Sequence, residues 1–470
     1  MFTIAEIVEA TGGIAAGGNA GGEVSGVSTD SRSAAPGELF VPLRGERFDG
    51  HNFLGSVGER GVRVALVERR WLDEGRSVPA EFCCIVVNDT LRALGDLAMY
   101  HRRRFSLPIV GVTGSNGKTT TKEMLAAILA RTGEGLKTEG NLNNLIGVPQ
   151  MLFRLTGVHR WAVLEMGMSE FGEIDRLAEI ARPDVGIITN AYPAHLETLG
   201  SVEGVARAKG ELFLRLRPGG CAVFNADDQL IARCPSPEGV RRISFGLGAA
   251  EVTAETIESL GVRGQRFLLR LPGEAVPVTL RAFGRHNVAN ALAAAAAAHV
   301  LGVPADVIAD GLGAFHPYAR RFNLEEVGGV VLIDDSYNAN PASMAAALTT
   351  LREIADGHRS VAVFGDMLEL GEGAEESHRQ LGRLAATCVD RLYLVGAMAG
   401  VVAAGAREGG MAEGAIVVAA SHEEIVQDLR RTVGTGEFIL VKGSRGMAME
   451  KVAEGIRMME SASHGEGGQA

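Results

Sequence analysis

A glycine-rich segment that ends in lysine and threonine is the part of the sequence best suited to bind phosphate. It follows an apolar run, 109–112, that predicts a buried strand, and it precedes residues 122–131, whose composition predicts a helix. The backbone N–H groups of such a turn, with the helix N-terminus behind them, bind phosphate oxygens. Lys118 would reach the terminal phosphates, and the Thr119 hydroxyl would bind a magnesium ion. We therefore predict a nucleoside triphosphate site whose loop comprises Gly114, Ser115, Asn116, Gly117, Lys118, Thr119 and Thr120.

The glycine spacing in this loop departs from the general phosphate-loop pattern. That pattern has a glycine five residues before Gly117, where this chain has Val112. The sequence fits a shorter variant, Thr-Gly-x-x-Gly-Lys-Thr, at 113–119. The alternative is a glycine turn that only joins a strand to a helix. Lysine and threonine in the expected places favour phosphate binding instead.

Three further side chains are candidates for chemistry. Glu165 lies near the end of the predicted strand 161–166, where a carboxylate could bind magnesium; the alternative is a solvated or capping glutamate. His195 follows the predicted strand 185–190, although a lone histidine is more often structural. Lys209 lies in a predicted helix, and only six of the 46 basic residues are lysine. Because arginine cannot lose its proton in a protein, each remaining lysine is a candidate for work that needs a neutral amine.

Two groups of asparagines could recognise a polar ligand. The first group forms a loop dense in amide donors and acceptors, for which the alternative is an ordinary turn. The second opens an alanine-rich helix, for which the alternative is helix capping. The groups are Asn141, Asn143 and Asn144, and Asn287 and Asn290.

Composition argues against several classes of partner. The net charge is −11 and no basic block is present, so nucleic acid and anionic membrane surfaces are not expected. No stretch approaches about 18 uninterrupted apolar residues, and the first residues do not form a signal peptide. Five scattered cysteines show neither zinc spacing nor a disulfide framework, which favours a reduced compartment. We expect a cytoplasmic monomer.

Alternating strand and helix patterns predict an α/β protein of three domains. The first is a mixed α/β block. The second starts at the phosphate loop and predicts a doubly wound parallel sheet, with a small antiparallel sheet from about 241 to 283. The third repeats the alternation and predicts a Rossmann-like domain. The predicted bounds are 1–106, 107–316 and 317–460, followed by a disordered tail at 461–470.

Together these motifs resemble those of the Mur ligase family, the ATP-dependent amide-forming enzymes of peptidoglycan precursor synthesis. The resemblance extends over nearly the whole chain. In the middle of the chain the shared segments are 113–119, 141–144, Glu165, Ala-His-Leu at 194–196, Ala-Lys-Gly-Glu at 208–211 and Gly-Arg-His-Asn-x-x-Asn at 284–290. Segments resembling the family's uridine-binding N-terminal domain are 30–32, 36–40 and 45–51.

The resemblance implies an ATP-dependent reaction in which a carboxylate is activated as an acyl phosphate. It implies two magnesium ions, one bound by Thr119 and Glu165, the other by His195 and a carbamylated Lys209. A protonated lysine cannot bind a cation, whereas CO₂ turns its neutral amine into a carboxylate. Lys118, His195 and Lys209 are then the catalytic residues. Further implied nucleotide contacts are Asn287, Asn290, Arg321, Asp335, Tyr337 and Asn338, with Arg320 as the alternative to Arg321.

The C-terminal motifs at 334–341, 365–371 and 442–445 resemble the family member whose amino substrate is D-alanyl-D-alanine. The other substrate would be UDP-N-acetylmuramoyl-tripeptide, whose third residue, lysine or diaminopimelate, stays open. The Asp-Asn-Pro-Arg tetrad typical of the preceding diaminopimelate-adding ligase is absent. The implied substrate contacts are Ser31, Arg32, Gly45, Glu46, Arg47, Asn141, Asn143, Asn144, Lys442, Ser444 and Arg445.

Other functions stay open on the sequence alone. The nearest is a sibling ligase with another amino acceptor, or a folylpolyglutamate-type synthetase. A nucleotide-dependent switch without ligation is a different class, but it needs the phosphate loop and not a second metal site. A small-molecule kinase is the remaining alternative.

Overall fold

The computed structural model describes residues 1–18, 22–45 and 48–463. Three sheets of mostly parallel strands follow one another along the chain, and a small antiparallel sheet lies between the second and the third. The predicted α/β class is thus confirmed. The candidate residues Glu46 and Arg47 lie outside the described residues, as does 464–470 of the predicted tail. The last helix extends to Ser463.

The N-terminal region contains a five-stranded sheet and a separate antiparallel strand pair. Its strands are β1 Phe2–Thr3, β2 Ile14–Ala16, β3 Glu23–Val24, β4 Gly26–Ser28, β5 Glu38–Phe40, β6 Val64–Glu68 and β7 Cys83–Val87. Its helices are α1 Ile4–Thr11, α2 Leu54–Glu59, α3 Arg69–Asp73 and α4 Thr90–Arg102. The sheet order is β2-β7-β6-β5-β4, in which only β2 is antiparallel to its neighbour.

The central region is built on a six-stranded parallel sheet. Its strands are β8 Ile109–Thr113, β9 Gly135–Lys137, β10 Trp161–Glu165, β11 Val185–Ile188, β12 Cys221–Asn225 and β13 Arg241–Phe245. The surrounding helices are α5 Lys118–Leu129, α6 Gly147–Phe153, α7 Glu173–Ala181, α8 Leu196–Leu199, α9 Val202–Leu214, α10 Gln229–Ala232, α11 Arg285–Val300 and α12 Ala305–Gly313. Every residue of β8, β10 and β11 is buried, as expected for a parallel sheet covered on both faces.

The strand order β13-β12-β11-β8-β10-β9 places the candidate residues at one edge. β8 lies between β10 and β11, so the phosphate loop, Glu165 and the segment leading to His195 all leave the sheet at neighbouring carboxyl ends. Ligands bind at such edges in open parallel sheets.

The predicted antiparallel sheet begins later than the sequence pattern indicates. Residues 241–245 form β13, which pairs in parallel with β12. The expectation of an antiparallel segment from about 241 is wrong there, because an edge strand is partly exposed and so alternates as an antiparallel strand does. The antiparallel sheet comprises β14 Thr253–Ser259, β15 Gln265–Leu271 and β16 Glu274–Leu280.

Helix α11 fixes the position of the phosphate-loop helix. Its alanines are buried on nearly all sides, and their small side chains let α11 pack closely against α5. Apolar as it is, α11 does not reach membrane-spanning dimensions, and no other helix in the described ranges does.

The C-terminal region repeats the α/β alternation. Its strands are β17 Asn323–Val327, β18 Val330–Asp335, β19 Ser360–Gly365, β20 Arg391–Val395, β21 Ile416–Val418 and β22 Phe438–Lys442. Its helices are α13 Pro341–Ala355, α14 Ala374–Ala385, α15 Ala399–Glu408, α16 His422–Thr432 and α17 Glu450–Ser463. The order is β17-β18-β22-β19-β20-β21, parallel except for β17. The ends of β18 and β22 therefore place Asp335 beside Lys442.

Candidate active site

One cleft separates the carboxyl edge of the central sheet from the C-terminal region, and many of the candidate residues line it. From the central region these are Ser115, Asn116, Gly117, Lys118, Thr119, Thr120, Asn143, Glu165, Asn287 and Asn290. From the C-terminal region they are Arg321, Asp335, Tyr337, Asn338 and Lys442. We call this space the interdomain cleft.

The phosphate loop joins β8 to α5 and depends on glycine at two positions. Gly114 has a φ of +151° and Gly117 a φ of +82°, where side chains are rarely tolerated. A Cβ at Gly114 would overlap the Thr189 hydroxyl, and one at Gly117 would overlap the Asn290 amide. Lys118 opens α5, and its Nζ donates a hydrogen bond to the Gly114 carbonyl at 2.6 Å. The amine is thus folded over the loop.

A buried carboxylate lies behind the loop. Glu165 is 3% exposed and accepts hydrogen bonds from the Thr119 hydroxyl and the Asn143 amide, both at 2.9 Å. No ion pair with a described residue neutralises it. Burial lowers the pKa of Lys118, and the charge of Glu165 partly opposes that effect. A carboxylate that has no ion-pair partner among the described residues, beside a hydroxyl, is a donor set that fits a magnesium ion.

Helix α9 holds Lys209 in the protein interior. The side chain is 3% exposed, and its Nζ has no hydrogen-bond or ion-pair partner in the part of the chain that the structure describes. Burial, together with the nearby charge of Lys118, lowers the pKa of Lys209 well below its ordinary value. The lowered pKa increases the share of the neutral amine, which is the form that reacts with CO₂.

His195 immediately precedes α8, close to both lysines. Its Nδ1 lies 3.2 Å from Oε2 of Glu369, which belongs to the C-terminal region. Burial lowers the pKa of His195; the charge of Glu369 opposes this, and those of Lys209 and Lys118 reinforce it. The structure thus brings His195, Lys209 and Lys118 together, with the imidazole favoured in the neutral form that binds metals.

The protein side chains alone do not complete a cation site. Among the described residues no group of three or more His, Cys, Asp or Glu is arranged to hold a metal ion. Glu165 and His195 are the acidic and imidazole candidates, and Thr119 adds a hydroxyl.

The first turn of α11 faces the interdomain cleft. Asn290 donates from Nδ2 to Oδ1 of Asn287 at 3.0 Å, and Asn287 donates to a carbonyl one turn earlier. Asn287 is not the N-cap, because Gly284 holds that position. His286, which is not among the residues predicted from the sequence, lines the cleft, and burial lowers its pKa to about 4, with Asp335 opposing. The sequence feature that could have identified His286 is its position inside the motif at 284–290.

The structure separates the two adjacent arginines. The Arg321 guanidinium lies 4.0 Å from the centre of the Tyr337 ring, and its buried Nε has no hydrogen-bond partner among the described residues. Arg320 points elsewhere, to Glu450 at 3.1 Å and Glu454 at 3.5 Å. Of the two, Arg321 is therefore the one placed to meet an anion in the cleft.

Lys442 lies with the nucleotide-side candidates. Its Nζ is 2.7 Å from Oδ2 of Asp335 and donates to the Asn338 carbonyl at 2.9 Å. Burial lowers the pKa of Lys442, and the charge of Asp335 opposes this. Asp335 also accepts a hydrogen bond from the Phe322 N–H at 3.1 Å, which ties the strand end to the segment carrying Arg321.

Ser444 and Arg445 do not line the interdomain cleft. The Ser444 hydroxyl donates to the Ala339 carbonyl at 3.2 Å and accepts from the Leu368 N–H at 2.9 Å, so it joins three loops. The Arg445 side chain is 58% exposed and pairs with Glu450 at 2.9 Å.

The three asparagines of the 141–144 loop have different surroundings. Asn143 reaches Glu165, as described above. Oδ1 of Asn144 accepts hydrogen bonds from the N–H groups of Ile146 and Gly147. These contacts are those of a residue in an ordinary turn, which was the alternative to ligand recognition. Asn141 is exposed.

The N-terminal candidates lie away from the interdomain cleft. Arg32 pairs with Asp30 at 2.7 Å, and hydrogen bonds from Arg32 lower the pKa of Asp30 to about 2. Ser31 is partly exposed, and the Gly45 N–H donates to the Phe48 carbonyl at 2.9 Å.

A direct contact between the two sides of the cleft was not foreseen from the sequence. The amides of Asn116 and Asn340 exchange two hydrogen bonds, at 3.2 and 2.7 Å. Asn340 is also the N-cap of α13. The residues are 224 positions apart, so no local pattern relates them.

Three protein-family models match the chain. The Mur ligase family catalytic domain matches 23–102, the Mur ligase middle domain matches 112–298, and the Mur ligase glutamate ligase domain matches 320–445. Together these matches cover most of the sequence and include the phosphate loop, Glu165 and Arg321.

Individual relatives match over nearly the full length. The UDP-N-acetylmuramoyl-tripeptide–D-alanyl-D-alanine ligase of Escherichia coli is 40% identical, over 92% of this chain and 93% of that protein. The crystal structure of MurF from Acinetobacter baumannii is similar with a TM-score of 0.88 and 36% identity, covering 97% of this chain and 98% of that one. MurF ligase from Thermotoga maritima in complex with ADP has a TM-score of 0.83 and 28% identity, covering 93% and 98%.

Proposed function

The chain belongs to the Mur ligase family, and we propose that it uses ATP to join D-alanyl-D-alanine to the tripeptide carboxylate of UDP-N-acetylmuramoyl-tripeptide. It is an amide-forming ligase of peptidoglycan precursor synthesis. The observation that carries the proposal is the presence, beside one phosphate loop, of a carboxylate, an imidazole and a buried amine. Neither the carboxylate nor the amine has an ion-pair partner among the residues that the structure describes. A switch or a simple nucleotide-binding module needs only the loop.

The reaction has two steps. A tripeptide carboxylate oxygen attacks the γ-phosphorus of ATP, the bond to the β,γ-bridging oxygen breaks, and ADP leaves. The dipeptide amine then attacks the carbonyl carbon of the acyl phosphate. A C–N bond forms, the C–O bond to the phosphoryl group breaks, and phosphate and a proton are released. Phosphorylation is needed because a carboxylate is a poor electrophile.

The chain's own cations and N–H groups act on the phosphoryl oxygens, where charge builds up. Lys118 donates a hydrogen bond to the Gly114 carbonyl, so its amine already lies at the loop where the phosphates would bind. Arg321 approaches from the opposite wall, its Nε still without a partner in the described structure. Transfer therefore requires both walls of the cleft at once.

The residues present fit two magnesium ions. Thr119 and Glu165 would hold one; His195 and Lys209, as a carbamate, would hold the other. When bound, magnesium neutralises phosphate charge and polarises the phosphoryl oxygens. Lys209 supports carbamate formation because its buried amine has no partner in the described part of the chain and its lowered pKa increases the share of the neutral form. Arginine could not take that role.

The remaining assignments complete the proposal. Asn287, Asn290, Asp335, Tyr337 and Asn338 contact the nucleotide in the cleft. Ser31, Arg32 and Gly45 contact the UDP portion from the N-terminal region, Asn143 the tripeptide end, and Lys442 and Arg445 the dipeptide. We infer action as a monomer in the cytoplasm, where UDP-linked precursors and ATP occur.

Acceptor-dependent ADP release tests the proposal. With ATP, magnesium and UDP-N-acetylmuramoyl-tripeptide present, D-alanyl-D-alanine should stimulate ADP release, and glutamate or a single D-alanine should not. The matched control omits the tripeptide substrate. Stimulation by glutamate would point to a sibling or folylpolyglutamate-type activity, and acceptor-independent turnover with a stable phosphorylated product would point to a kinase.

A further inference from the structure

One contact between the central and C-terminal regions has no role in the function proposed above. Nδ1 of His195 lies 3.2 Å from Oε2 of Glu369, and the Glu369 side chain is 68% exposed. Glu369 makes no other hydrogen bond or ion pair with the described residues. The contact therefore depends on how the C-terminal region sits against the central one, and on nothing else that Glu369 touches.

Both residues have backbone conformations that non-glycine residues rarely adopt. His195 has a φ of +52° and Glu369 a φ of +63°. Left-handed residues other than glycine are uncommon and strained, and they cluster at functional sites. Here two of them meet across the interface between the two regions. The folded structure maintains that strain on both sides of a single contact.

The loop that carries Glu369 is anchored next to it. The N–H of Met367 donates to Nε2 of the buried His378, and the N–H of Leu368 donates to the Ser444 hydroxyl, each at 2.9 Å. The carboxylate thus projects from a loop whose backbone is fixed to α14 and to the segment after β22. A flexible surface glutamate would lack these attachments.

We propose that Glu369 is a positioning residue for His195: its carboxylate, with Oε2 3.2 Å from Nδ1, favours the proton on that nitrogen and leaves Nε2 unprotonated for the second cation site. A neutral histidine has one N–H and one lone pair, so a partner on one nitrogen decides which nitrogen can bind a metal. Free neutral imidazole favours the opposite tautomer, with the proton on Nε2. Without Glu369 the metal-binding nitrogen would carry a proton most of the time.

The arrangement links cation binding to domain position. Glu369 reaches His195 only when the C-terminal region packs against the central region, so the second cation site gains its full strength on closure. This inference rests on the proposed function, because it assigns a purpose to the predicted second cation. It differs from the closure contact between Asn116 and Asn340, which touches no predicted cation ligand.

Glu369→Ala, Glu369→Gln and a matched control test the proposal. Glu372→Ala is the control, because Glu372 follows on the same exposed segment and has no partner among the described residues. Long-range ¹⁵N–¹H NMR of histidine-labelled, metal-free protein reads the His195 tautomer. Electron paramagnetic resonance with Mn²⁺ and ADP reads cation affinity. Steady-state kinetics separate kcat from KM for ATP.

We expect Glu369→Ala to shift His195 toward the Nε2–H tautomer. We also expect it to lower the affinity of the second cation site for Mn²⁺ by about 10- to 100-fold, the usual effect of removing the partner of a metal-binding histidine. We expect kcat to fall by a similar factor with KM for ATP unchanged. Glu369→Gln, which keeps an oxygen near Nδ1 but loses the negative charge, should recover part of each effect. Glu372→Ala should match the wild type.

An unchanged tautomer and unchanged Mn²⁺ affinity in Glu369→Ala would overturn the proposal. Equal effects of Glu369→Ala and Glu372→Ala would also overturn it, since loop charge alone would then be responsible. The tautomer and Mn²⁺ measurements need no ligation. If the wild type forms no amide, the proposed function fails, whereas a wild-type enzyme that ligates but is insensitive at Glu369 refutes only this inference.

Discussion

Lys209 is predicted to act as a carbamate, and replacing it by methionine isolates that role. Methionine fills most of the volume of the lysine stem but cannot react with CO₂. Deleting a preorganised group that stabilises transition-state charge costs about 10²- to 10³-fold in kcat, roughly 2.7–4 kcal/mol. We expect Lys209→Met to lose at least about 10³-fold in ligase activity, because a carbamate supplies both a charge and a cation ligand.

The burial of Lys209 also gives an estimate of how much its side chain contributes to stability. The side chain is 3% exposed, and its four methylenes, at about 0.8 kcal/mol each, contribute roughly 3 kcal/mol of apolar burial. Lys209→Ala should therefore lose this stability as well as the activity, whereas Lys209→Met should lose mainly activity. The cavity left by alanine has room for a small carboxylate such as acetate or propionate.

The assay follows amide formation with and without added bicarbonate and carboxylates. We expect the wild type to lose activity when CO₂ is stripped and to regain it with bicarbonate, and [¹³C]bicarbonate to give a carbamate NMR signal that Lys209→Met lacks. Small carboxylates should restore part of the activity of Lys209→Ala and none in Lys209→Met. Full activity in Lys209→Arg or Lys209→Met would refute the carbamate, whatever the other results.

Three further predictions concern the cleft geometry. Arg321→Ala should raise KM for ATP by about 10- to 100-fold, because a charge-assisted bond contributes about 1.5–3 kcal/mol, while Arg320→Ala should leave that KM unchanged; equal effects would contradict the assignment. Gly117→Ala should weaken ADP binding measured by calorimetry at least tenfold, since it adds a left-handed penalty of about 1–2 kcal/mol to an overlap with a side-chain amide. The ring of His286 should titrate near 4 by NMR, and Lys442→Met should raise that pKa because the charge of Lys442 contributes to lowering it; a lowered value would refute this electrostatic effect.

Matched controls keep these tests specific. Gly140 has a φ of +54°, and no atom beyond its adjacent residues lies within 4 Å of the place that a Cβ would take, so Gly140→Ala should show strain without the nucleotide effect.

The lowered pKa of His286 also fixes the direction in which this residue changes stability with pH. The folded state favours the neutral ring, whereas the unfolded chain protonates it near the ordinary histidine pKa of about 6.5. The free energy of unfolding contributed by His286 therefore falls as the pH drops from about 6.5 toward 4.

The sequence predicts best what is local. The buried strand before the phosphate loop and the alanine helix each depend on residues within one short segment, and both appear as expected. The helix behind the loop begins at Lys118, earlier than the predicted residue 122, because the lysine and threonines of the loop form its first turn. The edge strand β13 is predicted in the wrong sheet, because its partial exposure imitates an antiparallel pattern.

The features that could not be predicted from the sequence are contacts between residues that are distant in the chain. Arg320 and Arg321 are adjacent and chemically alike, and only the positions of Glu450 and Tyr337 distinguish them. The contact of Glu369 with His195 joins segments far apart in the chain, so no motif links them. The surroundings of Lys209 could not be predicted for the same reason. The scarcity of lysine marks this residue as unusual, but only the fold shows that its amine is buried and has no partner among the described residues.

The most direct test of the account is the fate of oxygen in the tripeptide substrate. UDP-N-acetylmuramoyl-tripeptide labelled with ¹⁸O in its terminal carboxylate is incubated with ATP, magnesium and D-alanyl-D-alanine, and the products are analysed by mass spectrometry. An acyl-phosphate ligase must give the pentapeptide amide together with inorganic phosphate that carries one ¹⁸O atom from the carboxylate. Absence of the amide, or an amide accompanied by unlabelled phosphate, would contradict the account.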